Sequence, residues 1–323
     1  MTTEDFDKAA HERVTKWLKG YQRLWLLFAC LFAAAPAWAA DVYIVDTVKR
    51  DDSLTLAETL NQSCVSCRPV KYMDMKGSVR IGRQISYELA KLKADGALDL
   101  VITLGKPATR MIARELTDVP IFYSLGAPDA DPTRHGSDVI SLVVPPSPKL
   151  KLQALKALAP NIKNIGFLAT RDSLDDIKDQ TIAAARELGV QIKFYYVQRP
   201  YDVPVGLRTA IQEMDAIIFI QDRVVINADT VEYILQLTLE NQVPTLVDND
   251  KLVDRGMLAA LTVDPVRLGE KLGGAIEQFL ATGALPDLSD DPTLFQLLVN
   301  GDTLRQTPGV TGNAPAGLKM VMR

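Results

Sequence analysis

From Asp41 onward the chain repeats one rhythm: a short apolar run, then a longer stretch whose apolar positions recur every three or four residues. Nearly continuous apolar runs are what strands covered on both faces require, and the longer recurrence is that of amphipathic helices. "DVYIVD" (41–46) reads as a strand, "DSLTLAETLNQ" (52–62) as a helix with Asp52 or Ser53 as candidate N-cap, and "RPVKYMDM" (68–75) as a second strand. In 78–96, Ile81, Ile85, Leu89 and Leu92 share one helical face, and Gly96 stops the helix. "LDLVITLG" (98–105) is the next strand, "PATRMIARELT" a helix, and "VPIFYSLG" and "DVISLVVPP" (138–146) are strands.

After "VVPPSPK" (143–149) the alternation restarts. Helices are predicted over 148–161, 173–190 and "VGLRTAIQEM", and strands over 162–170, 191–198 and 215–222. "TVEYILQLTLENQ" reads as a helix, 243–250 and 256–264 as strands, and 265–283 as a helix closed by Gly283. The tail from Leu285, with its Pro, Asp and Gly, reads as loosely packed. Strict strand–helix alternation predicts an α/β protein with two doubly wound parallel-sheet domains joined by a hinge at the proline-rich joint. The expected division is 41–144 for the first lobe, completed by part of 256–285, then 145–255 for the second lobe and 286–323 for the tail. In such sheets ligands bind beyond the carboxyl ends of the strands, so two facing lobes would share a cleft.

Composition narrows the class. The 323 residues are 47% hydrophobic and 24% charged, as in globular chains, and the net charge of −4 leaves no basic footprint for nucleic acid. His11 and His135 are too isolated for a histidine-based metal site. Lys16, Lys19 and Arg23 precede an apolar run from Leu24 to Ala35 and then Pro36-Ala37-Trp38-Ala39-Ala40. That order is a secretory signal peptide (1–40), too short in its apolar part for the ~20 residues of a membrane span. A periplasmic mature chain starting near Asp41 is therefore expected, with Cys64 and Cys67 as its cysteines. Outside the cytosol such a pair reads as one structural disulfide; a redox dithiol is the alternative, and Arg68 stands where a haem site needs histidine.

Six strand-to-helix tips carry polar groups: Asp46-Thr47, Gly105-Lys106-Pro107-Ala108, Ser124-Leu125-Gly126, Thr170-Arg171, Gln221-Asp222 and Asp248-Asn249-Asp250. The Gly-Lys-Pro turn lacks the first glycine and the hydroxyl of a phosphate loop. It leaves a helix N-terminus that favours an anionic group, with Lys106 adding charge or simply solvated. Asp222 either accepts from a ligand ammonium or hydroxyl, or caps the next helix. Arg171 either clamps a carboxylate or lies on the surface. No Gly-x-Ser-x-Gly elbow is present and no Cys-His pair or carboxylate pair is singled out, so the reading is a non-enzyme without a cofactor.

Several pieces, in order, resemble the periplasmic substrate-binding proteins of ABC importers, in the group typified by tryptophan/tyrosine-type binding proteins. They are "LDLVITLGKPATRMIARELTDVPIFYSLGAPD", "PSPKLKLQALKALAPNIKNIGFLAT", "MDAIIFIQDRVV" and "QVPTLVDNDKLVDRGMLAALTVDPVRLGEKLGGAIEQFLATGALP", together spanning about 95–286. The resemblance implies a type I clamshell closing on an amino-acid-like or anionic small molecule and docking on a membrane permease. Carried over by position, Gly105 to Ala108, Ser124, Thr170, Asp222 and Asp248 would line the cleft; Thr47 and Arg171 join them as loop-tip candidates. Lys106 replaces the family's usual threonine, and 41–75 lacks its early Phe-Gly pattern. The alternatives are a periplasmic ligand sensor of the same fold, acting on a signalling receptor, and a two-domain glycosyltransferase, which an exported chain argues against. A monomer is expected.

Overall fold

The computed structural model describes residues 39–67, 69–124, 139–141, 146–175, 177–284 and 291–323. Residues 1–38 of the expected signal peptide, Arg68, His135 and Pro145 of the expected hinge lie outside the described residues. Asp41–Arg323 forms one compact unit. Its described strands make two sheets, of five and seven strands.

The first sheet has the order β2-β1-β3-β4-β5, all parallel. Its strands are β1 (Val42–Asp46), β2 (Lys71–Asp74), β3 (Leu100–Leu104), β4 (Ile121–Ser124) and β5 (Val139–Ser141). Between them run α1 (Asp51–Ser63), α2 (Val79–Ala94) and α3 (Lys106–Glu115). Every residue of β1 and β3 is buried, because helices cover both faces. On one face Tyr43, Val45 and Val101 pack with Ile85 and Leu89 of α2 and Ile112 of α3. Ser78 caps α2 by accepting the Ile81 amide.

The second sheet has the order β12-β11-β10-β9-β8-β6-β7. Parallel strands β6 (Asn164–Ala169), β7 (Gln191–Tyr196), β8 (Ala216–Phe219), β9 (Thr245–Val247) and β10 (Ala259–Val263) form its body. The helices here are α4 (Pro148–Leu158), α5 (Arg171–Asp175), α6 (Lys178–Leu188), α7 (Val203–Glu213), α8 (Val231–Glu240) and α9 (Asp250–Val253). The single helix expected over 173–190 is thus two. The tail is not loose. It supplies β11 (Phe295–Val299), α11 (Gly301–Gln306) and β12 (Lys319–Met322), and Leu297 and Val299 are fully buried. β11 runs antiparallel to β10, so this sheet is mixed.

Helix α10 (Pro265–Thr282) leaves the second sheet and packs on the first. Phe279 meets Phe122 of β4 edge-on at 5.2 Å between ring centres. Its start is fixed by Asp264, which is buried, caps the amides of Val266 and Arg267, and pairs with Lys319 of β12 at 3.0 Å. Its outer side lies so close to α1 that a β-carbon on Gly273 would sit 2.3 Å from the Ser63 hydroxyl and 2.8 Å from its backbone carbon. The Ser63 hydroxyl donates to the Gly269 carbonyl at 2.9 Å. Just beyond, Cys64 and Cys67 form a disulfide, and the turn between them donates the Val65 and Ser66 amides to Glu277 of α10 at 2.6 and 3.2 Å. The disulfide turn therefore fastens the end of α1 to the crossing helix.

Candidate ligand-binding cleft

The carboxyl ends of β1, β8 and β9 converge on a cleft of about 830 Å³. One wall is Lys49 to Asp52, from the first sheet; the other is Ile220 to Arg223, Ile226, Asp248 to Lys251 and Arg323. Short apolar strands that end in polar tips put these side chains there, as the open-sheet rule requires.

On the second wall Asp222, and Asp248 through one oxygen, are held by the protein. Asp222 is buried, and one oxygen accepts the Thr170 amide at 2.8 Å and the Thr170 hydroxyl at 2.7 Å. The other accepts the Val224 amide at 2.8 Å and that of Val225 at 3.3 Å. Burial alone would push its carboxyl up, but the bonds from Thr170 and Val224 outweigh it and hold the group below its ordinary value. Asp248 is gripped from behind by the buried Lys151 of α4 at 2.7 Å. Asn249 caps α9 through the Lys251 amide at 3.1 Å.

The first wall differs. Arg50 is the N-cap of α1 and makes no capping bond, while Asp51 and Asp52 occupy the first turn, where acidic residues suit the helix dipole. Asp52 has its carboxyl pushed up by burial, then by Asp250 on the facing wall and by Asp51; Arg50 and Arg323 pull it the other way. Behind this wall Asp46 accepts the Tyr72 hydroxyl at 2.6 Å, and burial together with that carboxylate raises the Tyr72 hydroxyl far above its usual range.

Asp222 and Asp248 of the sequence candidates line this cleft. Thr47 instead ties β1 to the next turn: its hydroxyl donates to the Leu104 carbonyl at 2.9 Å and accepts the Ala108 amide at 3.2 Å. Gly105 sits at φ +88°, with room for no β-carbon, which would fall 2.9 Å from the Thr47 hydroxyl. The anion seat read from this turn thus loses two donors, since the Ala108 amide is taken and Pro107 has none. Lys106 and Pro107 are exposed, and Ala108 is buried. Thr170 is spent on Asp222, and Arg171 stacks over the Tyr196 ring at 4.6 Å. Ser124 ends β4 in register with Leu104. Lys49 to Asp52, Arg223, Ile226, Lys251 and Arg323 were not among the candidates. "TVKRDD" follows the first strand directly, so the loop-tip rule could have reached it; Arg323 belongs to the tail read as loose and gave no signal. Among the described residues no cluster of histidine, cysteine and carboxylate side chains is placed to hold a metal, and no helix is long and apolar enough to cross a membrane.

Residues 65–311 match the family described as ABC transporter substrate binding protein. No curated protein matches the sequence. Among solved structures, a ligand-free, open substrate-binding protein with adhesive properties from Clostridium difficile is similar in fold, with 17% identity, TM-score 0.66, and coverage of 87% of this chain and 98% of that one. A Streptococcus pneumonia ABC domain in complex with L-Trp is similar with 20% identity and TM-score 0.55, covering 87% of this chain and 100% of that one. A conserved domain protein from Vibrio cholerae shares 17% identity at TM-score 0.55, covering 88% and 100%. At these identities the likeness is one of fold, the type I periplasmic binding protein fold.

Proposed function

The chain belongs to the ABC transporter substrate binding protein family, and from that premise we propose that it is an extracytoplasmic solute receptor of an importer, binding a small amino-acid-like or anionic molecule between its two lobes. The observation that carries this reading is the origin of the cleft's walls: one from the end of β1 in the first sheet, the other from the ends of β8 and β9 in the second. Contacts made by both walls at once exist only when the lobes approach, so ligand shifts the population toward the closed form. The passage from β10 into α10 crosses between the lobes and is one place where a hinge would bend, with Asp264 there paired to Lys319. The L-Trp bound to one structural neighbour supports an amino-acid-like ligand. Nothing in the cleft favours a signalling partner over a permease.

The test is to purify the protein from its native host, identify the co-purified small molecule by mass spectrometry, and measure its rebinding by calorimetry. Wild type should bind it, and Asp250→Arg, which places a bulky cation in the cleft, should not. Wild-type affinity in a folded Asp250→Arg protein would move the site elsewhere. Permease and ATPase genes beside this one would support import.

A further inference from the structure

Among the described residues fourteen line the cleft, and ten of them are charged, five acidic and five basic. The apolar lining is Ile220, nearly buried at 7% exposed, and the half-buried Ile226. Among the described residues no lining residue is aromatic. Phe219 at the end of β8 is fully buried in the second lobe's core, and the Tyr72 hydroxyl is bonded to Asp46. Small-molecule sites are usually lined mostly by apolar and aromatic groups, with a few polar ones for orientation. This cleft inverts that proportion.

The charges divide by use. Asp222 is saturated by protein donors, and Asp248 pairs with Lys151 through one oxygen while its other oxygen is buried without a protein partner. Asp51, Asp52 and Asp250 remain for the ligand's positive end, and Lys49, Arg50, Arg223, Lys251 and Arg323 for its negative end. Arg323 is held only loosely, 3.8 Å from Asp254. Both signs come from both walls. A dianion would meet three carboxylates and an aromatic ring would bury ~150–250 Å² against charged groups, whereas a molecule carrying both signs meets partners at each end.

Resting on the cleft assignment above, we propose that the ligand is a small hydrophilic zwitterion, its cationic group seated between Asp52 and Asp250 and its anionic group taken by Arg50 and Arg323, and not an aromatic amino acid such as the L-Trp bound to one structural neighbour. Each pole then touches both lobes, so the ligand's charge separation itself draws the cleft shut. Burying unpaired charge is costly, so a neutral aromatic ring cannot satisfy these groups and a single-signed ligand satisfies only half.

The test is thermal unfolding of the whole protein with three mixtures at millimolar concentration. The first holds L-Trp, L-Tyr and L-Phe; the second L-Ser, L-Asn, L-Gln, L-Glu, L-Lys, L-Arg and glycine betaine; the third succinate, malate and citrate. The second alone should raise the melting temperature, and Asp250→Asn and Arg323→Met should each weaken the active component by about tenfold or more, about 1.4 kcal/mol per decade. Stabilisation by the first or third mixture, or by none, would overturn the zwitterion assignment. Stabilisation by the second that both variants leave intact would overturn the seat. The cleft assignment falls separately, on the co-purified molecule's indifference to Asp250→Arg.

Discussion

Asp222 and Asp52 line the same cleft and differ in almost everything else. Asp222 is 6% exposed, with both oxygens taken by four protein donors and its carboxyl held low. Asp52 stands open to solvent at the start of α1, and its carboxyl is pushed up by the partial desolvation that the cleft walls impose and by the facing Asp250. On the second wall Asp222 and one oxygen of Asp248 are spent on its own loops, for Asp222 ties the end of β6 to the end of β8 and Lys151 pins the end of β9, while Asp250 is left to the gap. The first wall leaves its charge to the gap. A carboxylate at a strand tip is therefore not evidence of ligand contact in itself; what decides is whether the protein has already supplied its donors.

The largest effect expected from this contrast is at Asp222. Asp222→Ala strands the Thr170 hydroxyl and the amides of Thr170, Val224 and Val225 in a buried place. Bonds to a charged acceptor and the desolvation of orphaned donors together put the cost at about 3 kcal/mol. Urea denaturation should show a lower midpoint with an unchanged slope. An Asp222→Ala protein as stable as wild type would place Asp222 with Asp52, as a free ligand group.

A smaller loss is expected far from the cleft, at the other end of the first wall. Gly273→Ala places a β-carbon 2.8 Å from the Ser63 backbone carbon, so α1 and α10 must separate. Overpacking of this kind costs ~1–3 kcal/mol, while alanine in place of a helical glycine returns up to ~1 kcal/mol. The net should be a loss of about 1–2 kcal/mol by the same denaturation. Gly274→Ala, whose β-carbon meets nothing within 4 Å, should be neutral or stabilising. The pair asks whether the exposed charges of the first wall ride on a helix fixed from behind.

Much of this architecture is legible in apolar rhythm. The all-buried runs of β1 and β3 and the stripe of Ile81, Ile85 and Leu89 announce their elements directly. The tail was not read, although "LFQLLV" has the same apolar signature as β3, because the surrounding Pro, Asp and Gly masked it. Its loss also hid Arg323, which reaches the cleft only because β12 joins a sheet begun well over a hundred residues earlier. Partner choice is the second thing local pattern cannot show. Thr47 and Thr170 look like cleft residues by position, yet their hydroxyls are bonded to Leu104 and Asp222, pairings with sequence separations of 57 and 52. The close glycine crossing is legible as Gly-x-x-x-Gly in α10, but what it meets is set by the fold.

The smallest effect has the clearest sign. Asp52 has its carboxyl raised above 3.8 by burial first, and then by Asp250 and Asp51 against Arg50 and Arg323. The folded protein therefore binds this proton more tightly than the unfolded chain, and stability falls as pH rises from the ordinary value through the raised one. Above that window the penalty is fully present; below it the penalty is gone. Asp52→Asn carries no charge, so it should melt slightly above wild type at pH 7, with the difference vanishing in acid and shrinking in high salt, which screens an exposed group. Asp222 must behave oppositely: its depressed carboxyl contributes stability above 3.8 that is lost as pH falls through the lower value. Melting curves of wild type, Asp52→Asn and Asp222→Asn across that range therefore separate the two walls by sign. If Asp52→Asn instead melts lower than wild type at pH 7, Asp52 is a structural carboxylate like Asp222, and the first wall has no charge to spare for a ligand.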